Sequence, residues 1–425
     1  MCIVNNAGFE RIVRSNFMMN NNDFLPWSDN WHIEDNKAWC IDGERNILYC
    51  LDLKLDEFIF LEKIPEETID LYRMNPHCIK YKDFILCMPD RGNNIWIYQL
   101  KESQFQPIKI HNPNRVRVSI TDFWQVDEKI YAVSNGLKQV IEINIDDKRI
   151  DNYYSLCNIP DVDIVKSIMV GTVIYSVCTT KNEIYWFDIK TNNSSKYYIK
   201  DVEGGFRTIC FDGQNFWLSG YRKEIYVWNR EKNSVNVLNA FPLLFGIYNI
   251  QTLGKDFLDC ETNVYDVPLF VQSVVLGQYI WFIPFYMNKV IYVDKDSFEI
   301  YEFEMEGEEE SRTSLKTRRL KIKFIMEYVK QERYIGIFSA KNNCIIEIDA
   351  LEKKYEKKVF SVGNTFIERM IREYEEHNRL VLVENYEVDR MLFKVLFNMD
   401  TKMTKAIYGV SVGCSIHQYV NEERI

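Results

Sequence analysis

The stretch "GQNFWLSGYRKEIYVWNREKNSV" occupies residues 213–235. Two short apolar segments, "NFWLS" and "EIYVW", flank a charged hinge, "GYRK", and a polar turn, "NREKNS", follows. Apolar runs of this length, rich in aromatic and branched residues and bounded by turn formers, read as buried strands. The stretch therefore reads as strand, hinge, strand, turn.

The arrangement recurs along the chain. The strand before the hinge returns as "KAWCI" (37–41), "DFILC" (83–87), "KIYAV" (129–133), "VIYSV" (173–177), "YIWFI" (279–283) and "RYIGI" (333–337). The first branched residue of the strand after the hinge is Ile47, Ile95, Val140, Ile184, Ile225, Val290 and Ile345. The intervals are 48, 45, 44, 41, 65 and 55 residues, so the period is near 45 with two long insertions. Each unit adds an upstream strand such as "FRTICF" and a downstream one such as "SVNVLNAF", which makes four strands per unit.

One twisted four-stranded sheet cannot bury both faces alone. Units stacked around an axis bury every face against a neighbour and leave only short edges. With the endings "YWFDIKTNN" and "IYVDKDSFE", which read as a strand-Asp-turn-strand hairpin, residues 27–362 resemble the bacterial kelch-like and WD-repeat-like β-propellers. No WD dipeptide stands at the usual place, so the resemblance is to the superfamily rather than to a subfamily. It implies an all-β, seven-bladed β-propeller with four-stranded blades. Propellers serve enzymes, receptors and scaffolds alike, so the fold alone assigns no activity.

Residues 1–26 form an N-terminal segment expected to help close the ring. Residues 363–425 have two readings. "SVGNTFIERM" and "SVGCSIHQYV" start 50 residues apart, which suits an eighth blade. In "TFIERMIREYEEH", Thr365 and Glu368 form a capping box and Phe366, Ile367, Met370, Ile371 and Tyr374 recur at helical spacing. A small helical C-terminal extension on seven blades is the reading adopted, with eight blades as the alternative.

Apolar residues make up 47% of the 425, enough for a large core without disulfides. The net charge of −10 argues against a nucleic-acid partner. The 11 cysteines are odd in number, contain no CxxC pair, and include Cys40 and Cys178 within apolar runs, as buried small hydrophobes would be. That suits a reducing compartment. The beginning, "MCIVNNAGFERIVRSNF", lacks the basic and apolar regions of a signal peptide. No apolar run approaches the ~20 residues that cross a bilayer. A cytoplasmic protein without membrane contact is expected, and the Asn, Ile, Lys and Tyr bias suggests an AT-rich bacterial genome.

In a propeller the hinge loops and the blade-to-blade connections emerge on one face. Each hinge here holds a basic residue: Arg45, Arg91, Lys138, Lys181, Arg222 with Lys223, Lys289 and Lys341. They read as a cationic ring suited to an anionic ligand or an acidic partner segment. Asp42, Glu44, Asp90 and Glu224 lie close by and dilute it. Tyr221 and Tyr286 also stand in hinges, where a ring with a polar tip serves as a binding anchor. Both long insertions, 243–268 and 306–323, are blade-to-blade connections, the usual carriers of binding on a rigid scaffold. Trp96, Trp186, Trp217, Trp228 and Trp281 fall inside strands and read as blade packing.

Chemical motifs are sparse. "GVSVG" (409–413) matches a nucleophile elbow, yet only His417 follows and no α/β alternation surrounds it, so Ser411 reads as a turn residue. The five histidines are scattered, which gives no metal spacing, and no glycine-rich phosphate loop is present. No catalytic residue, cofactor or metal is assigned. The expected role is a scaffold that recognises a protein or peptide through the loop-rich face. The alternatives are a lyase or hydrolase acting on an anionic saccharide in the channel, and a small-anion sensor.

Overall fold

One recurring turn builds the repeat. The third strand of most units ends in Asp or Asn: Asp52, Asn144, Asp188, Asn229, Asp294 and Asp349. The side chain then accepts N–H groups of the turn that follows. Asp294 accepts from Asp296 at 3.0 Å and Ser297 at 2.9 Å, and Asp349 accepts from Leu351 and Glu352 at 3.1 Å each. The chain re-enters the sheet through a left-handed residue close before the fourth strand. Asp56, Ser103, Lys148, Asn192, Asn233, Phe298 and Lys353 fill this place with φ between 47° and 61°. The hairpin read from "YWFDIKTNN" and "IYVDKDSFE" is this turn, at Asp188 and Asp294.

The computed structural model describes residues 28, 30–43, 46–65, 74–156, 162–242, 245, 268–284, 289–306, 324–339, 344–362 and 369. Seven antiparallel four-stranded sheets, their strands side by side in sequence order, occupy residues 32–63, 77–109, 120–155, 164–198, 206–238, 270–303 and 324–358. They are blades 1–7 of a β-propeller. In blades 3–6 the first strand pairs with the second through a register shift near the start of the first strand, bending it where it leaves the hinge face.

Burial follows strand position. The second strand of blade 4, Val173–Cys178, is buried except at its first residue, whereas the fourth, Asn193–Tyr198, is almost wholly exposed. The first strand is therefore innermost and the fourth outermost. Trp217, Trp228 and Trp281 are fully buried, and Trp96 and Trp186 pack on Phe105 and Tyr197. Their packing role is thus as read from the sequence.

The apolar core is seven clusters, each shared by two neighbouring blades. Blades 4 and 5 meet through Tyr175, Val177, Ile184, Phe206, Phe216 and Trp228. The seventh cluster joins the last blade to the first: Tyr328, Phe338 and Ile345 pack with Trp31, Tyr49, Phe58, Phe60 and Phe360. Trp31 lies 5.5 Å from the Tyr328 ring and 5.7 Å from the Phe360 ring, and its main-chain N–H donates to the Glu327 carbonyl at 2.7 Å. A short strand, Ser361–Val362, then pairs in parallel with the outer strand of blade 1, Glu57–Lys63.

This seam closes the ring at seven blades, which overturns the eight-blade alternative. Blade 7 already buries its free face on blade 1, so no face is left for another sheet. Residues 1–26 and the helical reading of 365–377 lie outside the described residues except for Arg369. That residue donates to the Leu61 carbonyl at 2.7 Å and the Phe60 carbonyl at 3.2 Å.

Candidate functional site

Hinges and blade-to-blade connections do share a face, and a run of hydrogen bonds ties them together. Asp90 N–H donates to the Met74 carbonyl at 2.8 Å, Ser119 to Asp90 at 3.2 Å, and Asn135 to Ser119 at 2.9 Å. Ile164 N–H donates to Asn135 Oδ1 at 2.9 Å, Thr179 N–H to the Asp163 carbonyl at 3.1 Å, and Leu269 N–H to the Gly220 carbonyl at 3.1 Å.

Side chains reinforce this run at the earlier joints. Between blades 2 and 3, buried Asp90 receives the Arg117 guanidinium and the Ser119 hydroxyl, the latter at 2.8 Å. Between blades 3 and 4, the Asn135 amide donates to Asp163 at 2.6 Å. The joint between blades 4 and 5 enters blade 5 through the glycine pair 204–205. Thr179 is short and turns back to Asp163, its hydroxyl donating at 3.3 Å. Backbone here packs directly on backbone. A Cβ on Gly205 would lie 2.2 Å from the Thr179 carbonyl carbon, and one on Gly220 would lie 2.2 Å from the Gly205 oxygen. Only glycine permits that approach, and Gly204 adds a left-handed φ of 82°.

A cavity of about 420 Å³ opens at this joint, within the size range of small-ligand sites. Thr179, Glu203, Gly204, Gly205, Gly220, Tyr221, Arg222 and Tyr226 line it. Tyr221 is half-buried, and burial pushes its phenol pKa up. The Tyr226 hydroxyl donates to Glu224, and burial together with that carboxylate drives its pKa strongly upward. Arg222 forms an ion pair with Glu203 at the mouth.

The structure brings two of the sequence-derived candidates, Tyr221 and Arg222, to this cavity. Lys223 stands beside it, donating to the Phe245 carbonyl at 2.9 Å with its ammonium over the Phe241 and Phe245 rings. The remaining described candidates are not in the lining. Arg91 donates its N–H to the Met74 carbonyl at 3.2 Å, and the Lys138 ammonium donates to Asn135 at 2.6 Å. Lys181 is half-buried in its hinge, and Lys289 pairs with Glu302. Arg45, Tyr286 and Lys341 lie outside the described residues, as do the two insertions apart from Phe245, Pro268 and Glu306.

Sequence reasoning did not single out Thr179, Glu203, Gly204, Gly205 or Tyr226. The available signal was "EGG" at 203–205, a glycine pair where one blade hands over to the next.

The channel wall carries a second polar group. Lys166 on the innermost strand of blade 4 donates to Asp122 of blade 3 at 2.5 Å, and the Ser167 N–H donates to the same carboxylate at 2.7 Å. Burial raises the Asp122 pKa, while Lys166, that N–H and His77 on blade 2 act to lower it. Among the described residues no group of three or more His, Cys, Asp or Glu could hold a metal ion. The described cysteines are buried and form no disulfide among the described residues, and burial lifts the Cys50 thiol to about 11 and Cys78 and Cys210 to about 12. Among the described residues no helix is long and apolar enough to cross a membrane.

No family model matches the chain, and no curated protein matches it. Among solved structures, the chain is similar to PorZ, described as an essential bacterial surface component of the type-IX secretion system of Porphyromonas gingivalis. The TM-score is 0.51 at 7% identity, covering 80% of this chain and 39% of that one, so this chain spans about two fifths of the PorZ length. It also matches the computationally designed Ika8 protein at a TM-score of 0.49 and 7% identity, covering 79% of this chain and 89% of that one. At such identity the PorZ likeness speaks for the fold alone.

Proposed function

We propose that this propeller is a binding protein that recognises a protein or peptide partner on its hinge face, with the cavity between blades 4 and 5 as the seat. One observation carries this reading. Tyr221 and Arg222, a ring and a charge of the kinds that anchor interfaces, flank a cavity at the joint between blades 4 and 5, where a glycine pair leads into blade 5. Arg91, Lys138, Lys181, Lys223 and Lys289, with Arg45 and Lys341, supply the wider field that steers the partner, and Tyr286 is a second aromatic anchor. Kinship with kelch-like or WD-repeat-like proteins and a cytoplasmic location belong to the same proposal, supported by the repeat pattern and by buried cysteines that form no disulfide among the described residues.

A photo-crosslinking residue placed at 221, and separately at Lys232 on the opposite face, tests it in native lysate. A stoichiometric adduct at 221 and none at 232 is expected. Equal labelling at both positions, or none at either, sinks the reading.

The channel supports a second reading, a lyase or hydrolase acting on an anionic saccharide. Its observation is the meeting of Asp122, Lys166 and His77 on the innermost strands of blades 2–4. Loss of polyuronate cleavage in Asp122→Asn, with unfolding unchanged, is its expected result. A wild-type protein inert on such polymers discards it.

A further inference from the structure

We infer that the Glu203 carboxylate is a built-in stand-in for an acidic side chain of the partner, so that the cavity between blades 4 and 5 takes a peptide segment bearing Asp or Glu. The inference rests on the binding reading above and names the chemistry that the seat selects.

The ion pair at the mouth is built to be exchanged. Glu203 comes from the connection entering blade 5 and Arg222 from that blade's hinge. Their side chains are 78% and 46% exposed, and pairs this open to water contribute little to stability. Replacing one carboxylate with another on Arg222 therefore costs the fold little. Glu203 also receives a hydrogen bond from Nη2 alone. A ligand carboxylate entering from the cavity can take two guanidinium nitrogens at once, the stronger geometry.

The surroundings favour an acceptor as guest. The main-chain N–H groups of Gly204, Tyr221 and Arg222 find no acceptor among the described residues. The neighbouring carboxylates already have donors. Glu224 receives the Tyr226 hydroxyl, and Asp163 receives Thr179 and Asn135. Neither of them hydrogen-bonds Arg222. Burial holds the Tyr221 phenol pKa up; Arg207 acts against it and adds positive potential, while Asp163 acts the other way. The Tyr221 and Tyr226 rings provide an apolar wall for the methylene groups that carry a peptide carboxylate.

The test selects a phage-displayed library of random twelve-residue peptides on the full chain. Enriched peptides are synthesised and titrated by fluorescence anisotropy against wild type, Tyr221→Ala, Arg222→Gln, Glu203→Gln and the opposite-face control Lys232→Gln. Thermal unfolding confirms that each variant folds. The expected peptides carry an Asp or Glu whose replacement by Asn or Gln weakens binding at least tenfold in wild type and has little effect in Arg222→Gln. Glu203→Gln, having lost the internal competitor, binds these peptides several-fold tighter.

Peptides that depend on Tyr221 but ignore both Arg222 and Glu203 overturn the acidic assignment and leave the binding reading standing. A library yielding no peptide sensitive to Tyr221→Ala takes down both. Free glutamate is the remaining arm. If it competes as tightly as the peptide, the site is one for small carboxylates and the peptide assignment is overturned.

Discussion

Gly220 packs its Cα against the Gly205 carbonyl so closely that a Cβ at 220 would lie 2.2 Å from that oxygen. Gly220 ends the second strand of blade 5 and Gly205 immediately precedes the first, so neither backbone yields easily. Gly220→Ala is expected to destabilise the protein by about 1–3 kcal/mol, the usual cost of overpacking. It should also abolish Tyr221-dependent binding, because the joint that shapes the cavity must spread. Urea unfolding and the anisotropy titration check the two effects separately.

The ring is closed by residues far apart in sequence, Trp31 and Tyr328 foremost. Trp31→Ala removes a buried ring shared by two blades and should cost about 3–5 kcal/mol. The indole N–H finds no hydrogen-bond partner among the described residues, so Trp31→Phe should retain most of that stability. Denaturant midpoints of the two variants decide this. Equal losses would show that the ring surface is not what holds the seam.

Asp349 ends the third strand of blade 7. It accepts from Arg333 Nε at 3.0 Å and from the N–H groups of Leu351 and Glu352 at 3.1 Å. The Arg333 hydrogen bond is the largest influence holding its carboxyl below the ordinary range. A carboxylate with a depressed folded pKa stabilises the fold above its unfolded pKa, and this is lost as pH falls through the folded value. Asp349→Asn should therefore cost about 1.5 kcal/mol at pH 7, the worth of a charged hydrogen bond. The gap to wild type should close as pH drops below about 4. Urea titrations at pH 7 and pH 3 measure the gap, and one that widens in acid contradicts the assignment.

The left-handed residue of the blade 7 turn is a lysine, and it has reached across to blade 6. The Lys353 ammonium lies 4.1 Å from the Tyr279 ring centroid and 4.8 Å from that of Tyr292, and donates to the Tyr279 hydroxyl at 2.9 Å. Lys353→Gln should lose about 1 kcal/mol, the usual worth of a cation on an exposed ring face. A double-mutant cycle with Tyr279→Leu should recover most of that as coupling energy. Zero coupling would assign the loss to the turn backbone instead.

How far the sequence led depends on the range of the interaction. Trp217, Ile225 and Trp228 lie in apolar runs bounded by turn residues, and hairpin pairing of near neighbours was enough to place them. Asp188 and Asp294 announced their turns because the side chain bonds its own following backbone. Tyr221 and Arg222 were readable as hinge residues for the same reason. Glu203 and Gly205 were not readable as their neighbours in a cavity, since they belong to the connection from the preceding blade. Nor was the pair of Asp122 with Lys166, which meet only because consecutive innermost strands stand side by side along the channel.

The sequence by itself determined the repeating unit: four strands, a charged hinge on one face, a polar turn on the other, about 45 residues per unit. Each of those features is settled by hydrogen bonds and periodicity within a few dozen residues. The tertiary structure decided how many units close the ring, which hinge opens into a cavity, and which charges meet. The ring count follows from the curvature accumulated over all seven blades, which lets Trp31 reach Tyr328. No local stretch encodes that sum.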